Sequence, residues 1–261
     1  MKSSLRNALI FALAATALHM PAAHAQWRLG IGPEYFDWKE DTTPRQVTEK
    51  GPLLSGWAEY TQRRDAGLVG AYRGRLYGGQ VEYEGSLLLS PNVPVSGNTR
   101  ISGMTHEGQL RRRFDVHGMR SVDLVAGAGI DIWLRELSAR QKERYVIGFA
   151  RFGVETEARG QGWMAGIGLK YPFYTHENAH LEDIGFDRNP VFKPGREISP
   201  YAHVGYQFAD PVSIVLYLDS FKFSQSPSQE ATYLPLNQTG SYYQPASTLY
   251  RIGLKLMYQF R

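Results

Sequence analysis

YRIGLKLMYQF, residues 250–260, decides how the rest of the chain is read. Its even positions are Tyr250, Ile252, Leu254, Leu256, Tyr258 and Phe260, and its odd ones Arg251, Gly253, Lys255, Met257 and Gln259. Side chains of a strand point alternately to its two faces, so a period of two gathers every even apolar residue on one face and both cations on the other. A helix would set Leu254 beside Arg251 and separate nothing. Aromatic residues at both ends of the apolar face fit a strand whose greasy side meets lipid and whose ends sit at the two interfaces.

The same period recurs upstream. Pro200, Ala202, Val204, Tyr206 and Phe208 oppose Tyr201, His203, Gly205 and Gln207. Trp163, Ala165, Ile167, Leu169 and Tyr171 oppose Met164, Gly166, Gly168 and Lys170, and Val122 to Leu134 alternates with Asp123 to Arg135. Trp27, Leu29, Ile31, Pro33 and Tyr35 oppose Arg28, Gly30, Gly32, Glu34 and Phe36. Segments 54–61, 144–156 and 212–224 follow suit, while 67–84 alternates with a change of phase at Gly78-Gly79, as a bulge would cause. Segment 101–113 is the poorest, offering only Met104, Gly108 and Leu110 to the lipid side.

The gaps between these segments run long and short in turn. Long gaps fall near 39–52, 85–100, 135–143, 173–198 and 225–246; short ones fall at 63–67, 114–120, 159–162 and 209–211. Short periplasmic turns and longer extracellular loops are the pattern of outer-membrane barrels. The reading is an all-β, closed antiparallel up-and-down transmembrane β-barrel of ten strands in one domain, residues 26–261, or of eight if segment 101–113 drops out.

The first residues fit this destination. Lys2 and Arg6 precede the apolar run Ala8 to Leu18, and Ala23-His24-Ala25 is a small-x-small cleavage site, so residues 1–25 read as a secretory signal peptide. The chain has no cysteine, hence no disulfide framework and no thiolate chemistry. Without Lys2 and Arg6, 27 basic residues face 25 acidic ones, so a pI of 9.2 is no argument for nucleic acid. With 27 Gly, 16 Tyr and 12 Phe, the composition is rich in glycine and aromatics yet low in mean hydropathy, as alternation produces.

The end of the chain resembles the C-terminal targeting signal of Gram-negative outer-membrane β-barrels. Arg251, Gly253, Leu256 and Tyr258 stand at its polar, glycine, apolar and aromatic positions, with Phe260 as a further aromatic and Arg261 as a departure after it. The resemblance implies the barrel-assembly machinery as a partner, besides the export machinery, outer-membrane lipids and lipopolysaccharide. An unidentified extracellular ligand for the outer loops, such as the Tyr- and Gln-rich stretch 229–245, completes the expected partners.

HENAH, residues 176–180, matches the His-Glu-x-x-His pattern in which two histidines one helical turn apart hold zinc and the glutamate activates its water. The pattern needs a helix. Here His176, Glu177 and His180 fall in the longest gap, punctuated by Pro172, Pro190, Pro194, Pro200, Gly185 and Gly195, and read as a solvated outer loop. No metal or cofactor is expected. The inward-facing set is more informative: Arg28, Glu34, Glu59, Arg73, Arg75, Glu107, Arg111, Asp123, Asp131, Arg135, Arg151, Glu155, Lys170, His203, Asp219, Arg251 and Lys255. Such mixed charges pair when buried, so the lumen is expected to be polar and filled by side chains, with a narrow solute channel as the alternative. Omptin-type proteases place paired aspartates and an Asp-x-His element near the outer rim. Here Asp37 and Asp41 lack a matched histidine, His106 is placed inward or at the rim, and His117 reads as a turn residue. Lipid A deacylases of this architecture use a His-x-Ser element, which the chain lacks. A surface hydrolase therefore rests on fold analogy alone.

Overall fold

The computed structural model describes residues 25–260 except 63, 88, 89, 117–119, 159 and 210; the expected signal peptide, apart from Ala25, and Arg261 lie outside the described residues. The chain is all-β. Strands β1 (Ala25–Glu40), β2 (Val47–Gln62), β3 (Gly67–Leu87), β4 (Ser90–Val116), β5 (Arg120–Glu136), β6 (Lys142–Ala158) and β7 (Gly162–Asn178) form an antiparallel meander. The short β8 (Val191–Phe192) pairs with the end of β7, and β9 (Ser199–Gln207) and β10 (Val212–Phe223) carry the wall onward. A separate hairpin, β11 (Gln229–Tyr233) and β12 (Gln238–Tyr242), precedes the last strand, β13 (Ser247–Gln259).

β13 closes the ring. Its Arg251 lies opposite Phe36 of β1 on one side and Asp219 of β10 on the other. Each wall strand is thereby paired on both edges along the part of the ring that β9 spans, which satisfies the backbone there. Alternation decides the faces as the sequence predicts. Leu29, Ile31, Leu124, Ile167, Leu216, Ile252, Leu254 and Leu256 stand exposed on the outside, forming an apolar belt with Trp27, Trp163, Tyr35, Tyr171 and Tyr258 among its aromatics. Arg28, Glu59, Asp131, Lys170 and Arg251 are buried inside.

Three corrections to the sequence reading have one cause. The gaps expected at 39–52, 85–100 and 135–143 are mostly wall: β1 runs to Glu40 and β2 starts at Val47, β3 runs to Leu87 and β4 starts at Ser90, and β5 runs to Glu136 and β6 starts at Lys142. Wall strands reach 27 residues in β4, where a tilted crossing of an apolar belt needs about 9–11. Above the belt the faces exchange chemistry: Lys39, Lys50, Glu82, Glu84, Arg100 and Arg144 point outward, while Trp38, Val81, Ile101 and Tyr145 point in. Polar outer positions therefore read as loops. The same exchange explains the supposed phase change at Gly78-Gly79. Pairing of β2 with β3 keeps one register from Thr61↔Ala71 to Thr48↔Glu84, and Val81, 1% exposed, stays on the inner face. Irregularities occur instead at Ser86/Leu87 and Gly148/Phe149.

Segment 101–113, which leaves the count at eight or ten from sequence, lies within β4 and pairs throughout with β3 and β5. Its signal is weak because Ser102, His106, Gly108 and Arg112 occupy outward positions.

Glycines on the inner face make room for rings. Gly153 and Gly168 pair across β6 and β7, and a Cβ on Gly168 would run into the Phe152 carbonyl oxygen and lie 2.6 Å from Cε1 of Tyr201. Gly168→Ala is expected to destabilise the ring by about 1–3 kcal/mol, as overpacked cores do, measured as a lower urea midpoint with unchanged slope. An unchanged midpoint would show that the Phe152 carbonyl and the Tyr201 ring move aside freely.

Candidate functional site

The interior has two zones. Towards the short turns it is ionic, and the pairs run from adjacent strands, as Arg113 with Asp123, to strands half a ring apart, as Arg28 with Glu157 and Arg251 with Asp131. Lys255 Nζ is 2.5 Å from Glu59, Arg28 Nη2 is 3.0 Å from Glu157, and Arg73 Nη2 is 2.7 Å from Glu155. Arg113 grips Asp123 through Nε and Nη2 at 2.9 and 2.8 Å and also reaches Glu157. Arg251 donates to Asp131 and to the Tyr77 hydroxyl, both at 2.7 Å. Charges out of water must be matched in this way, because an unpaired one costs several kcal/mol. A cavity of about 100 Å³ remains among Arg73, Glu107, Arg151, Glu155, Tyr201 and His203, room for a few waters. A wider space of about 490 Å³ lies at the short-turn end, between Arg28, Arg64, Arg113, Glu157, Gln207 and Gln259.

The zone towards the long connections is aromatic, which corrects the expectation of a polar lumen throughout. Trp38 of β1 meets Trp133 of β5 at 5.4 Å, Tyr145 of β6 at 5.7 Å and Phe223 of β10 at 6.3 Å between ring centroids. Trp133 and Tyr145 stack at 4.2 Å and 9°. β1 and β6 stand half a ring apart, so these side chains bridge the lumen. Offset and edge-on contacts of this kind add about 0.5–1.5 kcal/mol each beyond their burial.

Against this plug sits the most unusual polar group in the molecule. Glu40, Glu49, Glu143 and Glu177 come from β1, β2, β6 and β7, and Arg135 of β5 lies among them. Arg135 reaches Glu40 at 2.8 Å, Glu49 at 2.9 Å and Glu143 at 2.7 Å. Trp38 Nε1 donates to Glu40, the Thr99 hydroxyl to Glu49 and the Tyr145 hydroxyl to Glu143, at 2.8, 2.7 and 3.1 Å. Glu177 is held instead by Gln244: with the amide turned so that its nitrogen faces the carboxylate, both oxygens lie at 3.0 and 3.2 Å. One guanidinium cannot neutralise four carboxylates. Burial first, then Glu143 and Glu40, raise the Glu177 carboxyl well above the usual range, and burial raises Glu143 as well.

Gln244 belongs to a cap. Loop 179–198 and the segment 224–246 share a small core of Leu181, Phe186, Phe192 and Ala231, with Tyr233 and Tyr242 packed against it. Ser226 and Gln244 exchange backbone and hydroxyl hydrogen bonds at 2.9 Å, fixing the base of the segment.

HENAH thus has a different fate from the one expected. His176, Glu177 and Asn178 end strand β7, so the two side chains that a helix would converge are thrown apart. Glu177 is 1% exposed inside the ring, not solvated in a loop, while His176 stacks on Tyr174 at 6.3 Å between centroids. His180 follows in the left-handed region at φ 46°, before a 3₁₀ turn at Leu181–Ile184. Among the described residues no group of three or more His, Cys, Asp or Glu is arranged to hold a metal ion. His106 is also corrected: it points outward, its Nδ1 2.6 Å from the Tyr72 hydroxyl, and only Glu107 faces in, 3.2 Å from Arg151. An Asp-x-His triplet passed over in the sequence, Asp115-Val116-His117, begins at the short-turn end of β4, opposite the rim where an omptin-type site would lie; His117 is outside the described residues. Of the C-terminal signal positions, Arg251 is buried and Leu256, Tyr258 and Phe260 are exposed. Gly253 faces the Tyr217 ring, whose Cε1 would lie 2.6 Å from an added Cβ.

No family model and no curated protein matches the chain in sequence. Solved structures do match in shape. The outer membrane protease OmpT from Escherichia coli aligns with 91% of this chain and 97% of its own at a TM-score of 0.52 and 10% identity. The translocator domain of the autotransporter NalP from Neisseria meningitidis covers 97% and 96% at 0.37 and 8%, and a Pseudomonas aeruginosa FadL homologue 90% and 90% at 0.32 and 10%. At such identity the likeness to the first is one of fold: the chain shares the closed antiparallel β-ring of that outer-membrane protein.

Proposed function

We propose that the protein is an integral outer-membrane β-barrel of ten strands, exported by its N-terminal segment, with its short turns in the periplasm and its cap outside. It serves a structural or surface-binding role through that cap. The observation that carries this reading is the pairing of an apolar outer belt with a lumen bridged by aromatic side chains. Such a wall suits lipid, and such an interior suits neither a pore nor a solute path. Outer-membrane lipids and lipopolysaccharide would contact the belt and its upper rim, and the barrel-assembly machinery would read the Arg251–Phe260 end. The OmpT likeness is one of fold, and nothing in the arrangement of His176, Glu177 and His180 supports a hydrolase.

Two measurements test the proposal together. Outer-membrane fractions run on SDS gels with and without boiling should show two mobilities, because a closed ring keeps its backbone bonds until heated. The purified protein in a planar bilayer should stay silent. A single mobility with the protein free in the periplasm would overturn the membrane reading, and regular current steps would replace the closed lumen with a channel.

A further inference from the structure

We propose that the cap is a pH-dependent latch, held onto the ring by Gln244 on Glu177 in acid and released as the pH rises. The geometry is that of four inward carboxylates on four strands, one arginine, and one neutral amide from a segment whose backbone bonds beyond itself run to loop 179–198 and, through Ala246, to Asp41. The groups acting on Glu177 are Glu40 on β1, Glu143 and Tyr145 on β6, and Arg135 on β5. Arg135 in turn is shared with Glu49 on β2, and Tyr83 on β3 senses the same four charges. Arg135 makes ion pairs with Glu40, Glu49 and Glu143, and Glu177 is the carboxylate that the cap must satisfy.

These groups stand above the apolar belt, as the outward neighbours Lys39, Lys50, Lys142, Arg144, His176 and Asn178 show. Here water can reach them once the cap lifts. The Gln244 nitrogen faces both Glu177 oxygens, and with the proton on Glu177 the amide holds the neutral acid through its carbonyl oxygen. Without the proton, a further negative charge sits beside Glu143 and Glu40 in a dry site, and the amide alone does not offset it. Lifting the cap hydrates the carboxylate and relieves the repulsion.

The sign follows from linkage. The closed state raises the Glu177 carboxyl, so closure binds a proton that the open state gives up. Closure is therefore fully favoured below the ordinary carboxylate range and is lost progressively as pH rises towards the raised closed-state value. Within that window the opening constant grows by up to about tenfold per pH unit, the slope for one proton. Release frees 224–246 and uncovers the acidic, aromatic upper lumen, so surface binding by the cap and exposure of the lumen would alternate with pH.

Hydrogen exchange of the whole protein in detergent micelles, corrected for intrinsic rates, reads this at the backbone amides of Asp41 and Gly195, which donate across the boundary of the segment to Ala246 and Ser224. Between about pH 5 and about pH 9 their protection should fall in the native protein and stay flat and high in Glu177→Gln. Flat protection in the native protein overturns the latch. Should Glu177→Gln fail to assemble, Glu143→Gln serves: with one repelling carboxylate gone, the loss of protection should shrink and finish at lower pH. An unchanged profile there would also overturn it. Glu84→Gln, on the outer wall, should leave the native profile intact; if it flattens the profile, the effect belongs to surface charge and not to the latch. Boiled and unboiled lanes of the same samples separate failure of the latch from failure of the barrel.

Discussion

Arg251→Leu is expected to cost the ring about 3–5 kcal/mol, one of the largest losses any single substitution outside the belt should cause. Arg251 is fully buried, and its guanidinium donates to Asp131 and Tyr77 at 2.7 Å while lying 4.4 Å over the Tyr77 ring. Leucine leaves Asp131 in the lumen with Arg75, at 3.8 Å, as its nearby cation. The double variant Arg251→Leu with Asp131→Asn removes both charges and should recover much of the loss, since a dismantled pair costs far less than a broken one. Urea unfolding after refolding into lipid vesicles, with no assembly machinery present, is the measurement. If Arg251 matters only as a signal to that machinery, the refolded single variant will be as stable as the native protein, and the strut role is lost.

The second large effect lies on the opposite face. Ile167 is 68% exposed, midway along the outer row of β7 between Trp163 and Tyr171. Ile167→Arg should destabilise the protein in vesicles by about 2–4 kcal/mol, against about 0–1 kcal/mol for Tyr171→Arg near the interface. That depth dependence is the signature of a bilayer. For a ring standing in water, an exposed arginine in place of an exposed isoleucine would be neutral, and equal unfolding midpoints for the two variants and the native protein would refute the transmembrane reading.

The belt was legible because alternation there means one thing: apolar outside, polar inside. Residues 250–260 show it, and every odd position from Arg251 to Met257 is buried as that pattern demands. Above the belt, alternation persists but its meaning reverses, since water lies outside and a packed core within. Val81 therefore reads as lying beyond a change of face, and Trp38 falls between the last alternating position and the gap at 39–52. The carboxylate cluster was hidden for a related reason. Glu40, Glu49 and Glu143 lie within the stretches taken for loops, and Glu177 sat inside a motif that drew attention to its neighbours. A count of inward positions continued past the belt finds Glu40, Glu49 and Glu143, but misses Glu177, because β7 changes parity at the irregularity opposite Gly148/Phe149. Their sharing of one arginine depends on which strands face each other across the ring, and no local pattern carries that.

The contacts of the ionic zone also set a timetable. Glu34 waits for Tyr217, 183 residues later; Glu59 for Lys255, 196 later; Asp131 for Arg251, 120 later. Contacts of such sequence separation are slow to find, because the loop between them must be closed before they return anything. The early half of the wall therefore carries two acids, Glu59 and Asp131, whose shortest ion pairs are made with the last strand, so β13 is at once the final stave and the final neutralising charge. A chain cut short before Ser247 keeps most of its wall and nearly all of its belt, yet holds Glu59 without Lys255 and Asp131 without Arg251. Completeness of the polypeptide is thus checked by electrostatics inside the protein, before anything outside it has to inspect the product.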